Sequence, residues 1–146
     1  MKNIDDIKEI NMTYGELYAF MSQAIKQKFV IVRIDGRLCR TQADFLHFMA
    51  VAMNFSYDFD YTWESFDRYA MERSAIDALC KGLLIVLDHA EDMFSLRLSP
   101  VFGESEEENS LTVKTHLNEL ICKRRLIGLE TMVYLNYTDR RKAGDK

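Results

Sequence analysis

Thr13-Tyr-Gly-Glu16 places a hydroxyl at a helix cap and a carboxylate three residues on, the capping-box arrangement. Leu17, Tyr18, Met21, Ala24 and Ile25 then recur at helical spacing, so the pattern predicts a helix over about 13–27. Phe29–Ile34, "FVIVRI", is short, mostly apolar and rich in β-branched residues, and it stops at Asp35-Gly36. That reads as a strand buried on both faces, as in parallel sheets. Thr41 can cap the next helix, whose stripe is Phe45, Phe48, Met49 and Ala52. Another helix begins near Tyr61, with Trp63, Phe66 and Ala70 at spacings of three and four and both rings turned inward. "LLIVLD", Leu83–Asp88, is a second buried strand. Beyond a loop with Pro100 and Gly103, a helix over about Ser110–Arg125 carries Val113, Leu117, Leu120 and Ile121. "ETMVYLNY", Glu130–Tyr137, is the last strand, and the tail from Thr138 is polar.

The order helix, strand, helices, strand, helix, strand contains two strand–helix–strand crossovers. It predicts an α/β fold with a three-stranded parallel sheet packed by helices and an extra N-terminal helix. The 146 residues suffice for one domain with a proper core. Composition is that of a globular protein, 48% hydrophobic and 29% charged, and the single Pro and six Gly exclude a low-complexity chain. No apolar run is long enough to span a membrane, and "MKNIDDIKEI" is too polar for a secretory signal. Cys39, Cys80 and Cys122 lie far apart, in no metal or redox spacing, and read as buried reduced thiols of a cytoplasmic protein. The eight Met fit adaptable core filling.

Charge changes the picture locally. The chain carries 19 basic and 23 acidic residues, a net of −4. Asp58, Asp60, Glu64 and Asp67 alone contribute −4, so the remainder is neutral on balance. A generic nucleic-acid coat is excluded by that sign. Within the same stretch, "NFSYDFDYTWESFDR", the rings of Phe55, Tyr57, Phe59 and Tyr61 alternate. A second acidic run, "ESEEEN" from Glu104, reads as a solvated loop or helix start and is offset by "KRR" at 123–125 and "RRK" at 140–142. A solvated face accounts for part of the first patch: Glu64 and Arg68 are four apart in the favourable order, worth roughly 0.3–0.5 kcal/mol as a surface pair.

From Phe29 onward the chain resembles the barstar family of intracellular ribonuclease inhibitors. "VIVRIDGRLCRTQADFLHFMAVAMNF" is similar to the family's opening: a short strand, a turn with Gly, and a Ser/Thr-capped helix. "FSYDFDYTWESF" is similar to its central pattern, with Phe59 at an aromatic position, Trp63 and Phe66 at hydrophobic ones, Glu64 at the acid and Ser65 at the small residue. "LLIVLDHAEDMF", the helix from Ser110 and "ETMVYLNY" fit the closing elements. The resemblance covers about residues 29–138, with 1–28 as an N-terminal helical extension and 139–146 as a polar tail. It departs where Asp58 replaces an aromatic, Asp60 a glycine and Thr62 an Asn. Asp67 and Arg68 stand where the family has a Trp and then an Asp central to enzyme binding; the inverted charge is compatible with a different target or a changed role.

The resemblance implies a stoichiometric inhibitor or immunity-type protein that occludes the active site of a basic nuclease, a ribonuclease in the first instance. Tyr57, Asp58, Phe59, Asp60, Tyr61, Glu64, Asp67 and Arg68 would form its partner-binding surface. Carboxylates would take the place of phosphates and rings the place of bases. It implies a monomer with no catalysis, cofactor, direct nucleic-acid contact or membrane contact. The alternative is a module of the same fold that binds another basic protein without inhibiting it. A third reading uses Asp88 and His89, at a strand end where active sites of open parallel sheets gather, as an oriented general base. No metal is expected. The calcium-loop pattern is absent, Asp88, Glu91 and Asp92 form an acidic group without it, and His47, His89 and His116 are scattered. No Gly-rich phosphate loop is present.

Overall fold

The computed structural model describes residues 7–39, 41–55, 58–71, 80–93 and 106–138, with the backbone alone for 92–93 and 106–112. The elements run β1 (Ile7–Ile10), α1 (Tyr14–Lys26), β2 (Phe29–Asp35), a 3-10 turn (Gly36–Leu38), α2 (Gln42–Ala52), α3 (Trp63–Met71), β3 (Gly82–Asp88), α4 (Ala90–Met93), α5 (Glu106–Leu126) and β4 (Glu130–Asn136). The chain is therefore α/β.

The sheet has four parallel strands in the order β1-β4-β3-β2, one more than the three expected. The added strand is "IKEI", which pairs Ile7–Ile10 with Val133–Asn136 of β4. Its hydropathy does not alternate: Ile7 is buried in one layer, Ile10 packs half-buried against the other, and Lys8 and Glu9 face water. Charged residues on a four-residue strand also discourage pairing with another chain.

β3 is central, and all seven of its residues are buried. β2, expected to be buried on both faces, is the opposite edge of the sheet: Val30 and Ile31 are half-buried and Arg33 is exposed. The crossover from β1 to β2 thus spans the whole sheet. α1 covers one face, where Leu17 and Ala24 pack with Phe29, Leu84 and Val86. α2, α3 and α5 cover the other, where Phe45, Met49, Phe66, Leu117 and Ile121 meet Val32, Ile34, Ile85, Leu87, Val133 and Leu135. Consecutive residues of β3 feed the two layers alternately, as a strand's two-residue period requires.

The helix starts follow their caps. Thr13 accepts from the Glu16 N–H while Glu16 accepts from the Thr13 N–H. Thr41 accepts from the Asp44 N–H. Lys28, Asn54 and Gly128, at φ of 76°, 59° and 85°, carry the chain away from α1, α2 and α5 in the left-handed conformation that often ends helices. α5 begins at Glu106, four residues before the expected start, inside the acidic run. Glu104, Ser105, Pro100, Gly103 and the tail from 139 lie outside the described residues.

Candidate functional site

Between α2 and α3 the chain lays down an aromatic layer. Phe55 and Phe59 lie 5.1 Å apart between ring centroids, Phe59 and Tyr61 5.1 Å, and Phe55 and Tyr69 5.7 Å. Phe66 lies 6.0 Å from Phe55, joining the layer to the core. Phe55, Phe59 and Tyr69 therefore pack toward the core. Phe59 is 6% exposed, which corrects the expectation that it would meet a partner: its ring holds the loop down. Tyr61 is 49% exposed and lies over His47, with centroids 6.0 Å apart. Its φ is 62°, a conformation rarely held by a residue with a side chain and concentrated at functional sites. Tyr57 lies outside the described residues.

The acids sit above this layer. Asp58 is exposed and accepts a hydrogen bond from the Tyr69 hydroxyl, which pushes the Tyr69 phenol up from its ordinary value. Asp60 accepts from the Thr62 hydroxyl at 2.7 Å and the Thr62 N–H at 3.3 Å. Those bonds, the hydroxyl first, outweigh slight desolvation and hold its carboxyl below the usual range. Thr62 in turn caps α3 by accepting from the Ser65 N–H at 3.1 Å. Glu64 is exposed in the first turn, where the helix dipole favours an acid. Asp67 is half-buried one turn on, 3.4 Å from His116 Nδ1. Arg68 is exposed and lies over the Tyr69 ring, 4.9 Å from its centroid. Among the described residues no ion pair joins Glu64 to Arg68, so the helical pair expected from their spacing does not form.

α3 is fixed from beneath. Phe66 is fully buried, and the Trp63 indole N–H donates to Gln42 Oε1 at 2.6 Å. The buried Arg124 of α5 donates to the Ala70 carbonyl at 3.1 Å and to Thr131 Oγ1 at 2.7 Å, tying the last turn of α3 to β4. A guanidinium at that helix end also suits its dipole. Arg124 in the "KRR" run is thus a core residue, which its neighbours' polarity concealed.

A second feature lies at the carboxyl ends of the strands. A cleft of about 240 Å³ is lined by Met12, Tyr14, Arg33, Arg37, Asp88, His89, Asn136 and Thr138. Asp88 accepts from Arg33 at 2.6 Å, Asn136 Nδ2 at 2.9 Å and the His89 N–H at 3.0 Å. Burial pushes its carboxyl up, but those partners together hold it below the ordinary value. Asp35 grips Arg37 in a fork, which lowers the Asp35 carboxyl. Asp88 thus meets the backbone of His89. The imidazole turns instead to the Thr138 hydroxyl at 2.7 Å and to Glu91 at 3.9 Å. No Ser or Cys lines the described wall, and the carboxylate–imidazole pair expected of Asp88 and His89 is not formed. The cleft reads as a hydrogen-bonded lock on the strand ends, with His89 at φ 52° turning the chain into α4.

Of the sequence-predicted surface, Asp58, Asp60, Tyr61, Glu64, Asp67 and Arg68 come together on one loop and the helix it enters. Sequence reasoning did not find His47 beneath Tyr61 or His116 beside Asp67. Both lie on neighbouring helices, α2 and α5, and only the packing of those helices brings them to the surface residues. Among the described residues no helix is long and apolar enough to cross a membrane. Compared with models of known protein families and with curated proteins, the chain matches neither.

Proposed function

We propose that the chain is a stoichiometric inhibitor or immunity-type protein that binds a basic nuclease, a ribonuclease in the first instance, through the loop before α3 and the exposed face of that helix. The observation that carries the reading is the arrangement of Asp58, Asp60 and Glu64: three exposed carboxylates on a segment braced by an aromatic layer and a capped helix start. Such a surface is pre-organised, so little conformational freedom is lost on binding. A nuclease cleft that holds phosphates presents Lys, Arg and His. Fixed carboxylates there would be attracted electrostatically, and the negative potential would speed encounter at low salt. Tyr61 offers a half-exposed ring for stacking. Inhibition is then occlusion, without catalysis or a cofactor.

Arg68 favours a second reading. It places a positive charge on the acidic helix face, so a target that is basic throughout its cleft would be repelled there. A module that binds another basic protein with an acid opposite Arg68 fits that feature better.

The test is capture at low salt from the source cells with two baits, the native protein and an Asp58→Asn, Asp60→Asn, Glu64→Gln variant. The amide oxygens keep the bonds to Tyr69 and Thr62 while the charge is removed. A basic nuclease retained by the native bait and lost from the variant supports the inhibitor. A retained partner without nuclease activity overturns it in favour of the second reading, and identical captures overturn both.

A further inference from the structure

Asp67 of α3 and His116 and Glu119 of α5 each offer a ligand atom within 4.8 Å of the others. We propose that these three side chains form a binding site for a first-row divalent transition-metal ion of the zinc class. Two ligands about 2.1 Å from a tetrahedral ion are about 3.4 Å apart. His116 Nδ1 and Asp67 Oδ1 stand at 3.4 Å, a separation that fits an ion pair with a protonated imidazole or two ligands on a shared ion. His116 Nδ1 is buried and has no hydrogen-bond partner. A metal ion would give this nitrogen a partner that no hydrogen bond supplies.

The imidazole is held in place for that role. Its ring lies flat on Trp63, with centroids 4.1 Å apart and planes 4° from parallel. Trp63 is itself anchored by Gln42. A ligand whose orientation is set by packing loses little freedom when the metal arrives. His116 and Glu119 are three apart on one helix and so share a face, while Asp67 approaches from the neighbouring helix. One imidazole and two carboxylates suit a borderline ion, and three protein ligands leave a position for water. The site would clamp α3 to α5 beside the proposed partner surface and shares Asp67 with it, but does not depend on that surface's function.

Trp63 is the chain's single tryptophan, so its emission reports on the ring stacked against it. Metal-free protein is titrated with Zn²⁺ while fluorescence and heat are followed, alongside His116→Phe, which keeps a ring under Trp63, and Glu119→Gln. The expected result is saturation at one equivalent with a change in Trp63 emission, and affinity lower by at least about tenfold in both variants. Far-ultraviolet circular dichroism checks folding. If His116→Phe does not fold, Glu119→Gln carries the comparison. Absence of binding to the native protein, or binding unchanged in the folded variants, overturns the site.

Discussion

Asp88 shows how a carboxylate can be buried at the end of the central strand. Arg33, Asn136 and the His89 N–H supply its partners, and their combined pull keeps it ionised despite burial. Because its folded pKa lies below the unfolded value of about 3.9, the folded state binds its proton less readily. The stability it confers is therefore complete above that value and is lost as pH falls through the folded pKa. Asp88→Asn should cost about 1–3 kcal/mol near neutrality, a range discounted for the partly exposed Arg33, and should flatten the loss of stability below about pH 4. Urea unfolding at several pH values measures both. The thiols differ in a comparable way. Cys39 is buried and its thiol is pushed up to about 12 by burial, with Asp44 and Asp35 adding to the effect. Cys80 and Cys122 are only half-buried, contrary to the expectation of three buried thiols. Alkylation of native protein at mildly alkaline pH should modify those two and spare Cys39 until the chain unfolds.

At the scale of elements, two positions make sharp predictions. A Cβ on Gly82 would lie 2.5 Å from the Glu130 carbonyl and 2.9 Å from the Phe29 ring, so the start of β3 tolerates no side chain. Gly82→Ala should cost about 1–3 kcal/mol, read from the urea midpoint. Thr62→Ala removes the cap of α3 and the partner of Asp60, and should cost about 1 kcal/mol while weakening partner binding. Elements were legible where local chemistry and tertiary context agree. Thr13-x-x-Glu16 caps a helix wherever it lies, and the apolar run of β3, with no charge before Asp88, suits a strand buried on both faces. β1 was illegible because four residues with one buried side chain carry no periodicity, and its pairing partner is more than a hundred residues away. β2 was misread because its apolar run suits a central strand as well as an edge. α3 starts two residues later than its pattern suggests, because Tyr61 takes the left-handed turn that brings Thr62 to the cap.

For the whole molecule, the acids of the candidate surface were legible by charge, since Asp58, Asp60, Glu64 and Asp67 match the net charge of the chain. What the sequence concealed is that Phe55 and Phe59 pack inward while Tyr61 stays half-exposed. Alternation in an irregular loop does not fix which side is out, and the neighbouring core decides. The surface is consequently more electrostatic and less aromatic than expected. Association with a basic partner should slow by about tenfold or more as salt rises from low ionic strength to roughly 0.5 M, because exposed charges are then screened within a few ångströms. Stopped-flow rates for the native and charge-neutralised proteins test this, and the neutralised protein should show little salt dependence.

The most direct measurement is a titration of the captured nuclease's activity with purified native protein and with the Asp58→Asn, Asp60→Asn, Glu64→Gln variant. The account predicts loss of activity that ends at one inhibitor per enzyme for the native protein and a midpoint shifted by at least about a hundredfold for the variant. Full nuclease activity in the presence of excess native protein, or equal inhibition by both, would contradict it.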